Sequence, residues 1–294
     1  MKTILVPTDF SETATNALQY AAAIASQVKG KLIIATIINL PVAPVLSEVI
    51  NPSLVSLEED YNKELSRLAE NLREKCNHQF EVETICQYGF LLADLNEIVK
   101  AEAVDLVVMG TKGATNLLDK LVGTNTSEYI KMATCPVLVI PSGATYTGIK
   151  NIAYASDFES EEKIVLQQLF GIAEPFQAQV AIVNVQTNYQ LDIVPDKEII
   201  QDIKKNFPDK NFRFAQVQKS KVVAGLYEFI QENPVEVLAV AIQQQGVVED
   251  LFHSSISKQL VQQTKLPLLT LPTKPYRKSG IRSIAQKQPA IKVN

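Results

Sequence analysis

Long apolar runs, paired cysteines and clustered histidines are all missing from this 294-residue sequence. Without a run of about 18 apolar residues no transmembrane helix is expected, and the apolar run before Asp9 is too short for a secretory signal. The three cysteines form no Cys-x-x-Cys pair and are odd in number, which favours a reducing, cytoplasmic compartment. The two histidines have no clustered cysteine or acidic partner, so no metal site is predicted.

Several motifs of well-known enzymes and binding proteins are absent too. Neither G-x4-G-K-[ST] nor G-x-G-x-x-G occurs, which excludes a P-loop and a dinucleotide-binding fingerprint. The hydrolase turn G-x-S-x-G is missing as well. Asp9 follows a strand, like a receiver-domain phosphoacceptor, but Cys86-Gln87-Tyr88 supplies no second aspartate after the third strand. Because no carboxylate pair or positioned base can be assigned, no catalytic residue is predicted.

Charge is distributed unevenly along the chain. The formal net charge is −4, yet residues 273–294 hold six lysines and arginines and no acidic residue, so the remaining residues carry −10. An acidic body argues against nucleic-acid binding, which requires a basic face for phosphate contacts. The basic end is interpreted as a solvated tail, with an anionic partner as the alternative.

Strand and helix patterns alternate through the first half of the sequence. This alternation, with strands apolar on both faces, is typical of a parallel sheet covered by helices on both sides. Ser11 precedes the first helical pattern and is a candidate cap for it. Strands are predicted at Thr3–Pro7, Leu32–Ile38, Phe80–Cys86, Asp105–Met109 and Pro136–Ile140, and helices at Ser11–Val28, Pro52–Lys75, Gly89–Glu102 and Thr124–Met132.

The second half repeats this plan. Residues 150–158 match residues 2–10 at an offset of 148, and Leu266-Pro267-Leu268 matches Cys135-Pro136-Val137 at an offset of 131. We therefore expect an α/β protein of two repeated Rossmann-like (flavodoxin-like) domains, each with a five-stranded parallel sheet. The expected boundaries are 1–142 for the first domain, 143–148 for a linker, 149–272 for the second domain and 273–294 for the tail. Further strands are predicted near Gln179–Val185, Phe212–Val217, Val237–Ile242 and Leu268–Leu271.

A glycine pattern follows the predicted strand Asp105–Met109. Its form is G-x2-G-x9-G-[ST], made by Gly110, Gly113, Gly123 and Thr124. Glycines let backbone amides approach a ligand closely, and the helix that Thr124 and Asn125 open would present free N–H groups and a positive end to phosphates. Asn125 and Glu128 have the spacing of a capping box. The alternative is that the glycines only shape a long loop, and that Lys112 is simply a solvated lysine.

Topology brings a second unusual segment to the same place. Ligands of open α/β sheets bind beyond the carboxyl ends of the strands, where the strand order reverses. For the order 3-2-1-4-5, that point lies between the first strand, which ends at Pro7-Thr8-Asp9, and the fourth, which ends at Met109-Gly110. Asp9 could accept hydrogen bonds from a base or a ribose, or it could cap the following helix.

Together these segments resemble the universal stress protein family. The resemblance rests on the run Pro7-Thr8-Asp9-Phe10-Ser11-Glu12-Thr13-Ala14, the glycine pattern and the ending Cys135-Pro136-Val137-Leu138-Val139. It covers nearly all of the first half and, more weakly, the second, so the chain is similar to a tandem member. The resemblance implies ATP binding, for which Mg²⁺ is a candidate accompanying metal. It also implies pairing of domains through their fifth strands, here as an internal pseudo-dimer, with a homodimer as a further option.

The resemblance implies a set of contact residues. Adenine contacts are expected from Asp9 and from Ile37 on the second strand, although family members often have histidine where Thr36 stands. Phosphate contacts are expected from the glycine pattern and the neighbouring backbone. The complete predicted nucleotide site is Pro7, Thr8, Asp9, Ile37, Met109, Gly110, Lys112, Gly113, Gly123, Thr124, Asn125 and Thr126.

The second copy departs from the pattern where phosphates would bind. Val240 or Ala241 stands in place of the first glycine, Gln243 or Gln244 in place of the second, and His253 in place of the third. Asp157 and Ser254 are kept, whereas Ala155 replaces the proline. We therefore expect one nucleotide, in the first half, and a nucleotide-dependent stress-response or signalling module. The alternatives are a slow ATPase or nucleotidyl-transfer enzyme, and a structural stress protein that binds nothing.

Overall fold

The computed structural model describes residues 1–39, 52–111, 124–158, 162–186, 196–242 and 266–275. The first half contains β1 (Thr3–Pro7), α1 (Glu12–Val28), β2 (Lys31–Asn39), α2 (Pro52–Lys75), β3 (Glu81–Gly89), α3 (Leu91–Ala101), β4 (Leu106–Thr111), α4 (Thr124–Met132) and β5 (Val137–Pro141). The second half contains β6 (Asn151–Ala155), α5 (Glu162–Ala173), a short 3-10 helix (Glu174–Phe176), β7 (Gln179–Gln186), α6 (Asp196–Asn206), β8 (Phe212–Gln218), α7 (Val222–Glu232), β9 (Val237–Ile242) and β10 (Leu268–Pro272).

One ten-stranded sheet runs through both halves, in the order β3-β2-β1-β4-β5-β10-β9-β6-β7-β8. Strands within each half are parallel, and in each half the first strand lies between the second and the fourth, as in the order 3-2-1-4-5 considered above. The two halves meet where β5 and β10 pair antiparallel, with Leu269 opposite Leu138. Each of these strands is fully buried and, apart from Thr270, apolar, so each would be an unprotected edge if its half stood alone.

Helices cover both faces of the sheet, as the apolar strands predict. In β1, Ile4 and Val6 belong to the core beneath α1 and α2, whereas Leu5 belongs to the core beneath α3 and α4. All three side chains are fully buried. Because neither face of a central strand is left to solvent, its sequence reads as a continuous apolar run rather than an alternating one.

Local signals in the sequence account for the ends of several elements. Ser11 caps α1 as predicted, since its side chain accepts a hydrogen bond from the Ala14 N–H. The connection between the halves bends at Gly143 and Gly148, whose φ angles of 74° and 99° suit glycine. Within the described part of the chain, no helix is long and apolar enough to cross a membrane.

Candidate functional site

A cleft of about 440 Å³ opens where the strand order reverses, beyond the carboxyl ends of β1 and β4. Segments from β1, β2, β4 and the helices α1 to α4 contribute to its walls. The lining residues are Pro7, Thr8, Asp9, Ser11, Thr13, Ala14, Thr36, Ile37, Ile38, Asn39, Leu57, Tyr61, Leu91, Met109, Gly110, Asn125 and Thr126.

Eight of the twelve residues predicted from the sequence line this one cleft, namely Pro7, Thr8, Asp9, Ile37, Met109, Gly110, Asn125 and Thr126. Thr124 is the first residue of α4. Lys112, Gly113 and Gly123 lie outside the described residues, as do Gln243, Gln244, His253 and Ser254 of the second half.

The end of β1 is held rigidly by three hydrogen bonds to Thr8. Its N–H donates to the Ala35 carbonyl at 2.8 Å, and its carbonyl accepts from Thr36 Oγ1 at 3.0 Å. Its own Oγ1 accepts from the Phe10 N–H at 3.0 Å. Phe10 has a positive φ of 62°, so the chain turns sharply between the strand and α1. Both threonines are buried, and the turn leaves Asp9 exposed at the cleft.

Asp9 has one carboxylate oxygen engaged in this turn. Oδ1 accepts a hydrogen bond from the Ser11 N–H at 3.0 Å, while Ser11 itself caps α1. The helix therefore does not depend on Asp9 for its cap. Asp9 is held in place by a short-range contact and lines the cleft, which is the position required of a residue that accepts hydrogen bonds from a ligand.

The end of β2 extends past the end of β1. Pairing between them stops at Pro7 opposite Ala35, whereas β2 stays paired with β3 as far as Asn39 opposite Gly89. The Ala35 carbonyl faces β1, since it accepts from Thr8. Because backbone groups alternate in direction along a strand, the N–H and C=O of Ile37 face the same way, beyond the point where β1 ends. They therefore point towards the cleft.

Gly110 has a packing reason to be glycine. A Cβ at this position would lie 2.2 Å from the Thr13 carbonyl oxygen, so only glycine lets α1 approach β4 this closely. Its own carbonyl accepts a hydrogen bond from Thr126 Oγ1 at 3.1 Å, which ties α4 to the end of β4. The alternative interpretation of the glycines, that they shape the fold, thus accounts for Gly110 without any ligand.

The first turn of α4 faces the cleft. Asn125 and Thr126 line it, and Thr126 is buried. Since α4 already begins at Thr124, Asn125 is a residue of the first turn and not the N-cap that its spacing with Glu128 suggested. Because Asn125 and Thr126 belong to the first turn of α4, the cleft meets the positive end of the helix dipole.

Sequence reasoning missed the residues that α2 and α3 bring to the cleft. Leu57 and Tyr61 come from α2, and Leu91 opens α3. A signal for the first two was available, because they continue the helical spacing of Leu65 and Ala69, which are buried against the sheet. What the spacing could not show is that Leu57 and Tyr61 line a cleft.

Among the described residues that line the cleft, Asp9 is the only one with a carboxylate. Searching the described residues finds no group of three or more histidine, cysteine or acidic side chains placed to hold a metal ion. The polar groups that the described residues bring to the cleft are hydroxyl, amide and carboxylate groups, which are suited to hydrogen bonding.

The second half keeps the backbone of this site. Ser156 matches Thr8: its N–H donates to the Val183 carbonyl, and its Oγ accepts from the Phe158 N–H. Asn184 takes the role of Thr36, since its Nδ2 donates to the Ser156 carbonyl at 3.0 Å. Phe158 has a φ of 58°, close to that of Phe10.

Other features of the second half differ. The strand register places Ala241 opposite Leu271, as Gly110 lies opposite Ile140, so Ala241 and not Val240 replaces the first glycine. Near Ser156 the Glu162 side chain turns inward, and Oε1 accepts a hydrogen bond from the Ser156 hydroxyl. Burial raises the pKa of Glu162 to about 7, although the hydrogen bonds from Ser156 and Tyr154 act in the opposite direction.

Comparison with known proteins gives a consistent result. The sequence model of the universal stress protein family matches residues 1–141. A universal stress protein of Methanocaldococcus jannaschii is 31% identical over 152 residues, which cover 47% of this chain and 94% of that protein. A universal stress protein of Synechocystis is 23% identical over 295 residues and aligns over 92% of this chain and 99% of its own length.

The fold has relatives among solved structures as well. The crystal structure of a universal stress protein from Archaeoglobus fulgidus covers 92% of this chain and 98% of its own, with a TM-score of 0.72 at 14% identity. Identity at that level supports the fold alone, whereas the Methanocaldococcus relative is 31% identical and is matched over 94% of its length. From this match and the two-fold repetition of the fold, the chain belongs to the universal stress protein family as a protein with two such domains in one polypeptide.

Proposed function

We propose that the first half of the chain binds one adenine nucleotide, ATP, in the cleft between β1 and β4, and that the protein acts as a nucleotide-dependent module of a stress response or signalling process. The observation that carries the proposal is the convergence of separate segments, namely residues 7–9, 37, 109–110 and 125–126, on a single cleft at the reversal of the strand order. Ligands of open α/β sheets bind at this place.

The dimensions and polarity of the cleft fit a nucleotide. Its volume of about 440 Å³ lies within the range of small-molecule sites, roughly 300–1,000 Å³. Asp9 and the exposed backbone of Ile37 supply the hydrogen-bonding groups proposed for the base and ribose. The first turn of α4 supplies N–H groups and a positive helix end for phosphates, and the sequence adds Lys112, Gly113 and Gly123 to this side. Mg²⁺ would accompany the nucleotide through its phosphates, since the described part of the cleft lining contributes one carboxylate, that of Asp9.

We propose that the second half binds no ATP. Ala241 stands in place of the first glycine, and the sequence places Gln243 or Gln244 and His253 in place of the other two. We also propose domain limits at 1–142 and 149–272, and a cytoplasmic location, which agrees with Cys76, Cys86 and Cys135 being free thiols.

Stoichiometry tests the proposal. Protein purified without added nucleotide is denatured and its supernatant assayed for adenine nucleotides, and stripped protein is titrated with Mg-ATP by calorimetry. We expect one ATP site per chain. Gly123→Val should abolish binding because a side chain enters the space proposed for the phosphates, and the matched second-half variant His253→Ala should keep one site. No released nucleotide and no heat would refute ATP binding, and two sites per chain would refute the assignment of the second half.

A further inference from the structure

The cleft has two ends of different character. Towards β2 most of its lining side chains are large and apolar, with Leu57 and Tyr61 from α2 on one face of the sheet, Leu91 from α3 on the other, and Ile37 and Ile38 between them. Thr36 and Asn39 of β2 add polar groups there. Towards β4 it is polar, with Thr13, Asn125 and Thr126 around the first turn of α4. If the phosphates lie at the positive end of α4, as proposed above, the base must lie at the β2 end.

Tyr61 is the largest side chain at the apolar end. Its ring packs on Phe10, with the centroids 5.7 Å apart and the planes inclined by 41°. Phe10 is itself fixed, because its N–H donates to Thr8 Oγ1 in the rigid turn that follows β1. Tyr61 is only half-buried and lines the cleft, so part of its ring is available to a ligand. The aromatic surface is thus held in place before any ligand binds.

We propose that Tyr61 recognises the base of the nucleotide by stacking on it, in the slot bounded by Leu57 and Leu91, and so favours purine nucleotides. This inference rests on the proposed ATP site. Asp9 and the Ile37 backbone provide hydrogen bonds at the edge of the base, whereas Tyr61 provides contact with its face. The hydroxyl of Tyr61 is not required for stacking. Base-aromatic stacking typically strengthens binding by about five- to hundredfold for each base.

The first experiment separates the base from the phosphates. Calorimetric titrations with Mg-ATP, Mg-CTP and inorganic tripolyphosphate are compared for wild type, Tyr61→Ala, Tyr61→Phe and the control Lys63→Ala, whose side chain is 73% exposed on the same helix. Tyr61→Ala should weaken ATP binding about tenfold, leave tripolyphosphate binding unchanged and reduce the preference for ATP over CTP. Tyr61→Phe and Lys63→Ala should bind as wild type does.

A second experiment uses the absence of tryptophan from this sequence. Tyr61→Trp places the single tryptophan of the protein in the slot, and Val222→Trp places it at an exposed position of the second half, 44% accessible. ATP should quench the emission of the Tyr61→Trp protein in a saturable manner, whereas tripolyphosphate should not. Neither ligand should affect Val222→Trp.

The outcomes distinguish the role of Tyr61 from the ATP site on which it depends. Wild type that binds ATP, together with Tyr61→Ala that binds it equally well and Tyr61→Trp that is not quenched, would overturn the role of Tyr61 and leave the ATP site intact. Wild type that binds no ATP would overturn both. Should Tyr61→Ala lose its cooperative thermal transition, Tyr61→Trp, which keeps an aromatic ring, decides the question through its quenching.

Discussion

The two halves of this protein share a backbone but differ in what surrounds the end of the first strand. In both, a buried hydroxyl residue, Thr8 or Ser156, anchors a turn with positive φ, and a second-strand side chain donates to its carbonyl. In the first half α1 packs closely on β4, which requires Gly110. In the second half Ala241 takes that place, and α5 makes little contact with β9. The two halves therefore share the backbone of the turn after the first strand and differ in how the following helix packs on the fourth strand.

Glu162 gives the sharpest difference between the halves. A carboxyl with a folded-state pKa of about 7 and an ordinary value of 4.5 imposes no penalty below pH 4.5, and it lowers the stability of the folded protein as the pH rises from there through 7. Glu162→Gln should therefore raise the free energy of unfolding above pH 7 by on the order of 3 kcal/mol and leave it nearly unchanged at pH 4.

Denaturant unfolding of wild type and Glu162→Gln across pH 4–8 measures this effect. The other carboxyl groups are common to both proteins, so the difference between the two curves isolates Glu162. A gap between them that does not widen from pH 4.5 to pH 7 would contradict the assignment.

A smaller effect is expected from exchanging the residues at the end of the fourth strand of each half. Gly110→Ala places a Cβ against the Thr13 carbonyl and should cost about 1–3 kcal/mol of stability, with weaker ATP binding because α1 and the Asp9 turn must shift. Ala241→Gly only adds freedom to a strand and should cost about 0.5–1 kcal/mol. Thermal unfolding with and without ATP measures both. Equal costs for the two variants would mean that the halves pack alike here.

Similarly small effects are expected from the hydrogen bond that both halves share. Thr36→Val and Asn184→Leu each leave a carbonyl, that of Thr8 or of Ser156, without its side-chain donor, and each should cost about 1 kcal/mol of stability. Only Thr36→Val should also weaken ATP binding, since only Thr8 lines the cleft of the first half. Chemical denaturation and calorimetry test this pair. An equal loss of ATP affinity in Asn184→Leu would show that the halves are coupled.

Prediction from the sequence was strongest where a single segment carries the whole signal. The strands Thr3–Pro7 and Val237–Ile242 and the helices Pro52–Lys75 and Thr124–Met132 have the predicted bounds, because apolar runs and helical spacing are local properties of the chain. The approach of Asp9 to Gly110 was predicted from topology, since the carboxyl ends of parallel strands meet at one edge. Ile37 was proposed as a contact residue by family resemblance. That its backbone lies at the cleft because β2 extends beyond the end of β1 is visible only in the strand register.

The sequence by itself determined the repeat, the alternation of strands and helices within each half and, for the strand order 3-2-1-4-5, the meeting of the first and fourth strand ends, because these follow from local pattern and from the rules of parallel sheets. Only the tertiary structure decided why Gly110 must be glycine, which residue of β9 replaces it, and that Tyr61 and Leu91 line the cleft from opposite faces. These facts depend on distances between segments far apart in the chain. No pattern within one segment contains them, and packing fixes them once the whole sheet has formed.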